Sequence, residues 1–251
     1  MSVESQAPEA AKKKSGSFWR ELPILLIIAL GLALLIKTFL MQAFYIPSGS
    51  MENTLHVGDR VLVNKLAYRF SDIQRGDVIV FNGVDSWAPE VQVTEPTNPV
   101  VRAVRSVAGA FGFASPSEKD YIKRVIGLPG DHVVCCDKQG RITVNGIPLN
   151  ENYLYPGDNP SDQEFDVTVP EGRLWVMGDH RGASSDSRAH VSDPGGGAIP
   201  IDSVIGRAFV IIWPFTDATF LTRPDTFDNA AMDAAQAEQS KVPPGQSQPS
   251  P

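Results

Sequence analysis

The chain has 251 residues, 42% of them apolar and 20% charged, and a formal net charge of −7. That length accommodates one soluble domain of ordinary size plus appendages. The acidic balance gives no sign of a nucleic-acid surface, and the only two cysteines, the neighbours Cys135 and Cys136, cannot build a disulfide framework.

In chain order, residues 1–20 form a basic leader carrying Lys12, Lys13, Lys14 and Arg20. From Leu22 to Ala43 the chain is apolar except for Lys37, Thr38 and Gln42, with Pro23 near the start. A spanning helix needs roughly 20 apolar residues, so residues 21–43 are expected to be one transmembrane helix. Proline suits its first turn, and Lys37 near the far end can reach outward to the headgroups. The run is longer than a signal-peptide core, and Met41-Gln42-Ala43-Phe44-Tyr45 is a poor cleavage site, so the anchor is expected to stay uncleaved. No Lys or Arg lies between Met41 and Asp59. The positive-inside rule then places the N-terminus in the cytoplasm and the remainder outside a cell membrane crossed once.

Residues 44–222 are expected to be an extracytoplasmic domain, mainly β. Short Val/Ile-rich runs at 60–65, 77–81, 121–126, 132–136, 141–144, 173–177 and 204–213 are punctuated by Gly, Pro, Asn and Asp, the pattern of strands. Asn145-Gly146 between two apolar triplets predicts a two-residue hairpin. An irregular insertion, 82–118, interrupts the strands and holds a possible short helix at 100–113. Cys135 and Cys136 fall on a strand and are expected to be two ordinary apolar residues there, since bridged cysteines normally have Cα atoms ~4.4–6.8 Å apart. Residues 223–251, rich in Ala, Gln, Pro and Ser without apolar periodicity, are expected to be disordered. The fold class is thus an antiparallel β-sheet domain with a smaller inserted region, behind one N-terminal transmembrane helix.

Three places can carry chemistry. Ser50 lies in the small-residue turn Pro47-Ser48-Gly49-Ser50-Met51, seven residues past Ala43 and so at most ~25 Å from the expected helix end. A turn serine needs a base and an oxyanion site to act, and without them it is a common turn residue. Lys123 sits in Tyr121-Ile122-Lys123-Arg124, where strand alternation puts it on the face of Tyr121 and Val125. Desolvation in a β-core disfavours the ammonium and makes such a lysine a base, whereas on an edge strand it stays solvated. The loop 178–188, Gly-Asp-His-Arg-Gly-Ala-Ser-Ser-Asp-Ser-Arg, begins at a strand end and can prop a site or simply turn the chain.

Three stretches in order, Ile46-Pro-Ser-Gly-Ser-Met51, Tyr121-Ile-Lys-Arg-Val-Ile-Gly-Leu-Pro-Gly-Asp131 and the 178–188 loop, resemble bacterial type I signal peptidase, or leader peptidase. Arg75-Gly-Asp-Val-Ile-Val-Phe81 is similar to a further motif of that family, and the resemblance covers roughly residues 20 to 215. It implies a membrane-anchored serine endopeptidase that removes signal peptides from exported precursors through an acyl-enzyme. By the same resemblance Ser50 is the nucleophile and neutral Lys123 the base. Ser48 joins the Ser50 N–H in the oxyanion hole, Ser184 orients the lysine, and the Asp186–Arg188 pair braces the site. Phe44, Ile46 and Ile122 line shallow pockets for small side chains. The implied partners are signal peptides and the lipid bilayer, with no nucleic acid, no cofactor and no metal, and the protein is expected to be a monomer.

Some positions depart from the family pattern. Asn53 stands where many relatives have proline, which would loosen the turn, and Gly182 and Ala183 replace acidic and amide residues. His180 allows a Ser50–His180–Asp186 triad to be written, since triads are recognised by geometry. A His180–His190 metal pair lacks a third ligand at suitable spacing. Self-cleaving repressors also use a Ser–Lys pair, but their DNA-binding region has no counterpart in this chain. A noncatalytic membrane-tethered binding protein of the same fold is the remaining alternative.

Overall fold

The computed structural model describes residues 18–84, 86–87 and 120–239. Helix α1 spans Phe18–Phe39, with Pro23 inside its first turns. Its described apolar side chains, among them Ile24, Leu26 and Ile27, lie exposed. Counted over the described residues, no helix is long and apolar enough to cross a membrane. The expected anchor overshoots at its C-terminal end. The helix stops at Phe39, the Leu40 carbonyl accepts a bond from the Lys65 N–H, and Met41–Tyr45 is strand β1. Pairing decides this: β1 runs antiparallel to β2 (Arg60–Asn64), from Met41 opposite Asn64 to Tyr45 opposite Arg60.

The larger sheet continues through β3 (Val78–Asn82), β4 (Asp120–Gly127), β9 (Arg173–Met177), β10 (Ile199–Pro200), β11 (Val204–Trp213) and β12 (Thr219–Phe220). Its order is β1-β2-β11-β3-β4-β9-β10, with β12 against β11. A second, four-stranded sheet holds β5 (His132–Cys135), β6 (Ile142–Val144), β7 (Ile147–Pro148) and β8 (Phe165–Thr168) in the order β7-β6-β5-β8. Every strand pairing among the described residues is antiparallel. Between β6 and β7, Asn145 and Gly146 both have positive φ (54° and 80°), the requirement of a type I′ turn.

Three apolar clusters meet along β4, which contributes Tyr121 and Val125 to one, Ile126 to a second, and Ile122 at the margin of the third. A charged residue on such a strand is therefore buried from both sides. That is the fold's contribution to the chemistry of Lys123 and Arg124, both 2% exposed.

The structure corrects several expectations. Trp87 is buried, edge-on to Phe81 and stacked on His190, so the described start of the 82–118 region is core. The rest of that region, with the helix expected at 100–113, lies outside the described residues. Among the described residues the α-helix between β2 and β3, α2 (Ala67–Phe70), is a single turn. Cys135 and Cys136 are joined as a vicinal disulfide across a cis peptide, their Cα atoms 3.0 Å apart. A cis peptide sets neighbouring Cα atoms ~2.9 Å apart, a separation that the range for ordinary bridges does not include. The tail is ordered well past Arg223: a 3₁₀ turn at Asp225–Phe227 leads into α3 (Ala230–Gln239), with Phe227 and Met232 buried. Residues 240–251 lie outside the described part.

Candidate active site

Ser50 is carried by a tight turn. The Glu52 N–H donates to the Gly49 carbonyl, and the Thr54 and Leu55 N–H groups both donate to Met51 O. Met51 and Leu55, fully buried, pin this turn into the cluster that also holds Phe44 and Ile46. Asn53 adopts φ 79°, which asparagine tolerates and proline cannot reach. Its Nδ2 donates to the carbonyls of Tyr153 (3.0 Å) and Leu154 (3.1 Å). The replacement of proline has therefore not loosened the turn but tied it to a neighbouring loop.

Lys123 lies on β4 opposite Ile79 of β3. Its Nζ donates to Ser50 Oγ over 2.7 Å, with Ser50 only 3% exposed. A serine hydroxyl and a lysine amine from positions 73 residues apart are thus within direct hydrogen-bond reach inside the protein.

The 178–188 loop closes the other side. The His180 N–H donates to the Ser50 carbonyl. Gly178 is packed so closely that a Cβ there would collide with Ser184 Oγ and the Ser50 carbonyl oxygen, which explains glycine at this position. Asp186 is fully buried and takes two bonds from the Arg188 guanidinium, each 2.8 Å, and one from the Gly178 N–H. Burial alone would raise its pKa, but the Arg188 bonds and charge, together with the Gly178 N–H, hold it below the ordinary carboxylate value.

The signal peptidase, peptidase S26 family matches residues 19–213 of this chain. The chain belongs to that family. Among its relatives, a probable signal peptidase I of Mycobacterium leprae (strain TN) is 43% identical over 243 residues, covering 84% of this chain and 83% of that protein. Signal peptidase I of Mycobacterium tuberculosis (strain CDC 1551 / Oshkosh) is 43% identical over 231 residues, covering 84% and 77%. A probable signal peptidase I-2 of Synechocystis sp. is 35% identical over 223 residues, covering 88% and 86%.

The remaining site residues of this signal peptidase relative divide. Phe44 and Ile46 are buried in one cluster, and Ile122 packs on its edge, so the three expected pocket residues do come together. Ser48 is exposed on the turn. Ser184 departs from expectation: its Oγ is buried against Gly178 and makes no hydrogen bond, so the expected bond to Lys123 is not formed. The histidine triad is not assembled either. His180 Nδ1 faces the Gly49 carbonyl (3.2 Å) and Glu52 (3.3 Å), its ring stacks on Tyr155, and Asp186 is committed to Arg188. His190 stacks on Trp87 and pairs with Asp193.

One cluster escaped sequence reasoning. Arg124, the residue after Lys123, makes a bidentate pair with Asp179 (2.8 and 2.6 Å), and Thr54 Oγ1 donates to the same carboxylate at 2.5 Å. Burial opposes the arginine's charge, but Asp179 more than offsets this and holds its pKa above the ordinary value. A single carboxylate thus joins the strand of Lys123, the turn of Ser50 and the loop that closes over both. The only signal available in the sequence was position: each partner sits beside a recognised motif residue.

Proposed function

We propose that this protein is a signal peptidase that cleaves the signal peptides of exported precursors with Ser50 as nucleophile and Lys123 as general base. The observation that carries this reading is the 2.7 Å contact between Lys123 Nζ and Ser50 Oγ, both groups buried. In water a lysine is protonated and useless as a base; burial among apolar side chains disfavours the ammonium. The neutral amine accepts the hydroxyl proton as Ser50 Oγ attacks the scissile carbonyl. The tetrahedral oxyanion forms beside the Ser50 N–H and the Ser48 hydroxyl, the C–N bond breaks, and Lys123 returns the proton to the leaving amine. Water then attacks the ester, Lys123 taking its proton; the acyl C–Oγ bond breaks, Lys123 returns the proton to Ser50 Oγ, and the new carboxylate leaves. Phe44, Ile46 and Ile122 share one apolar cluster with Met51 of the Ser50 turn, which supports a substrate pocket suited to the small residues that end a signal peptide.

The substrate class follows from family membership and from the names of the relatives, all signal peptidases. The test is direct. Wild-type protein should cut a precursor after a small-x-small sequence, and Ser50→Ala should lower the rate at least ~10³-fold. Full activity in Ser50→Ala would reject the serine reading.

The bilayer belongs to the same proposal. The apolar run from Leu22 and the exposed side chains of α1 support a single anchor, and Lys12, Lys13, Lys14 and Arg20 support an N-terminus in the cytoplasm and a catalytic domain outside. Expressed protein should remain with the membrane pellet after alkaline carbonate washing. Release into the supernatant would remove the anchor.

A further inference from the structure

The C-terminal segment packs through Phe227 and Met232 into a different apolar cluster from the one that holds Phe44 and Ile46. Phe227 is 6% exposed and touches two supports at once. On one side it covers Gly76, where an added Cβ would lie 2.6 Å from the Phe227 ring. The Gly76 carbonyl accepts from Arg124 Nη1 (2.8 Å), and its N–H donates to Val125 O (2.7 Å), so residue 76 grips β4 immediately after Lys123. On the other side Phe227 stacks on Tyr153, centroids 6.1 Å apart. The Tyr153 ring lies under the Arg124 guanidinium (4.4 Å), and its carbonyl receives Asn53 Nδ2 from the Ser50 turn. One ring therefore leans on the holder of the lysine and on the holder of the serine.

The segment is fastened where it docks. Arg75, 5% exposed, pairs bidentately with fully buried Asp131 and also donates to Asp233 (2.6 Å) and Gln236 (2.8 Å) of α3. Asn145 Nδ2 donates to both Asp131 and the Met232 carbonyl. An open cavity of ≈ 440 Å³ lies alongside, bordered by Asn53, Arg124 and Tyr153 on the site side and by Pro224 and Asp225 on the segment side.

We infer that Phe227 is a positioning residue for catalysis, the docked C-terminal segment holding the Ser50 turn and the Lys123 strand at their working separation. This rests on Ser50 and Lys123 being the reacting pair. Removing the ring leaves a void that joins the adjacent cavity, frees Gly76 and Tyr153 to shift, and lets water approach Arg124 and the strand carrying Lys123. The apolar cluster of Phe44, Ile46 and Ile122 is untouched, so binding is spared. Lys123 faces Ser50 and interacts with the Asp186 carboxylate; added hydration there favours its ammonium form, which moves the rise of activity with pH to higher pH.

The experiment uses the full-length protein and a precursor with a small-x-small site. For Phe227→Ala the expected result is a kcat lowered ~10- to 100-fold with KM within about twofold, since small misplacements cost rates of that order. The ascending limb of kcat against pH should move up by about half a unit or more. Phe227→Leu, which keeps apolar volume, should recover most of both, and it carries the test should the alanine variant fail to fold. A folded leucine or alanine variant with kcat and pH limb both unchanged, or with its whole defect in KM, overturns the inference. Ser50→Ala measured alongside separates the two readings. An active Ser50→Ala ends the dyad itself, whereas an inactive one beside unaffected Phe227 variants ends only the role of Phe227.

Discussion

Lys123→Met should abolish precursor cleavage, lowering kcat at least ~10³-fold, while leaving the thermal midpoint unchanged or higher. The two halves of this expectation have the same origin. Lys123 is 2% exposed on a strand where three apolar clusters meet. A primary amine there forgoes hydration, and a thioether of similar length does not. Methionine fills the volume, removes the proton acceptor and leaves Ser50 Oγ without a base. Initial rates and a melting curve on one preparation decide the matter. A variant retaining more than about a tenth of the wild-type kcat would show that the proton leaves Ser50 by another route.

Asp179→Ala should have the opposite signature, a large loss of stability. The carboxylate is fully buried, pairs bidentately with Arg124, which is 2% exposed, and accepts from Thr54. Removing one partner of a buried pair leaves the other charge uncompensated, at about 3–5 kcal/mol. For a domain of this size each kcal/mol moves the midpoint by roughly 2–4 °C, so a fall of about 10 °C is expected. The half-exposed pair between Arg141 and Asp137 is the natural comparison, with side chains 35% and 19% exposed. Solvent screening leaves such a pair little to contribute, so Asp137→Ala should shift the midpoint far less. Equal shifts in the two variants would contradict the account of the Arg124–Asp179 clamp.

These two cases also mark what the sequence could disclose. The meeting of Ser50 and Lys123 was legible because each sits in a compact motif whose residues are adjacent in the chain. Val61 and Val63 were legible as core by simple alternation along β2. The clamp was not, since Arg124 and Asp179 are 55 positions apart and an arginine beside a lysine on a strand is as easily solvated as buried. Met41 to Ala43 continue an apolar run and carry no mark of strand; only pairing with β2 makes them one. Helix α3 has no apolar stripe to betray it, and it is held by a few tertiary contacts such as Met232 and the Arg75–Asp233 pair. Ser184 shows a different limit. Its place in the motif follows the family pattern, yet its buried Oγ makes no hydrogen bond, and the motif carries no mark of a hydroxyl's orientation.

Only Leu40 separates the last residue of α1 from the first of β1, and the Leu40 carbonyl is already taken by Lys65. The junction is therefore a single residue, tied to the sheet by that bond. Each residue of an α-helix advances the chain ~1.5 Å and turns it ~100°, and the sheet must inherit both quantities. Where Ser50 points, and how far it stands from whatever surrounds α1, are thereby decided by helical phase. A linker of flexible residues would have left both to diffusion.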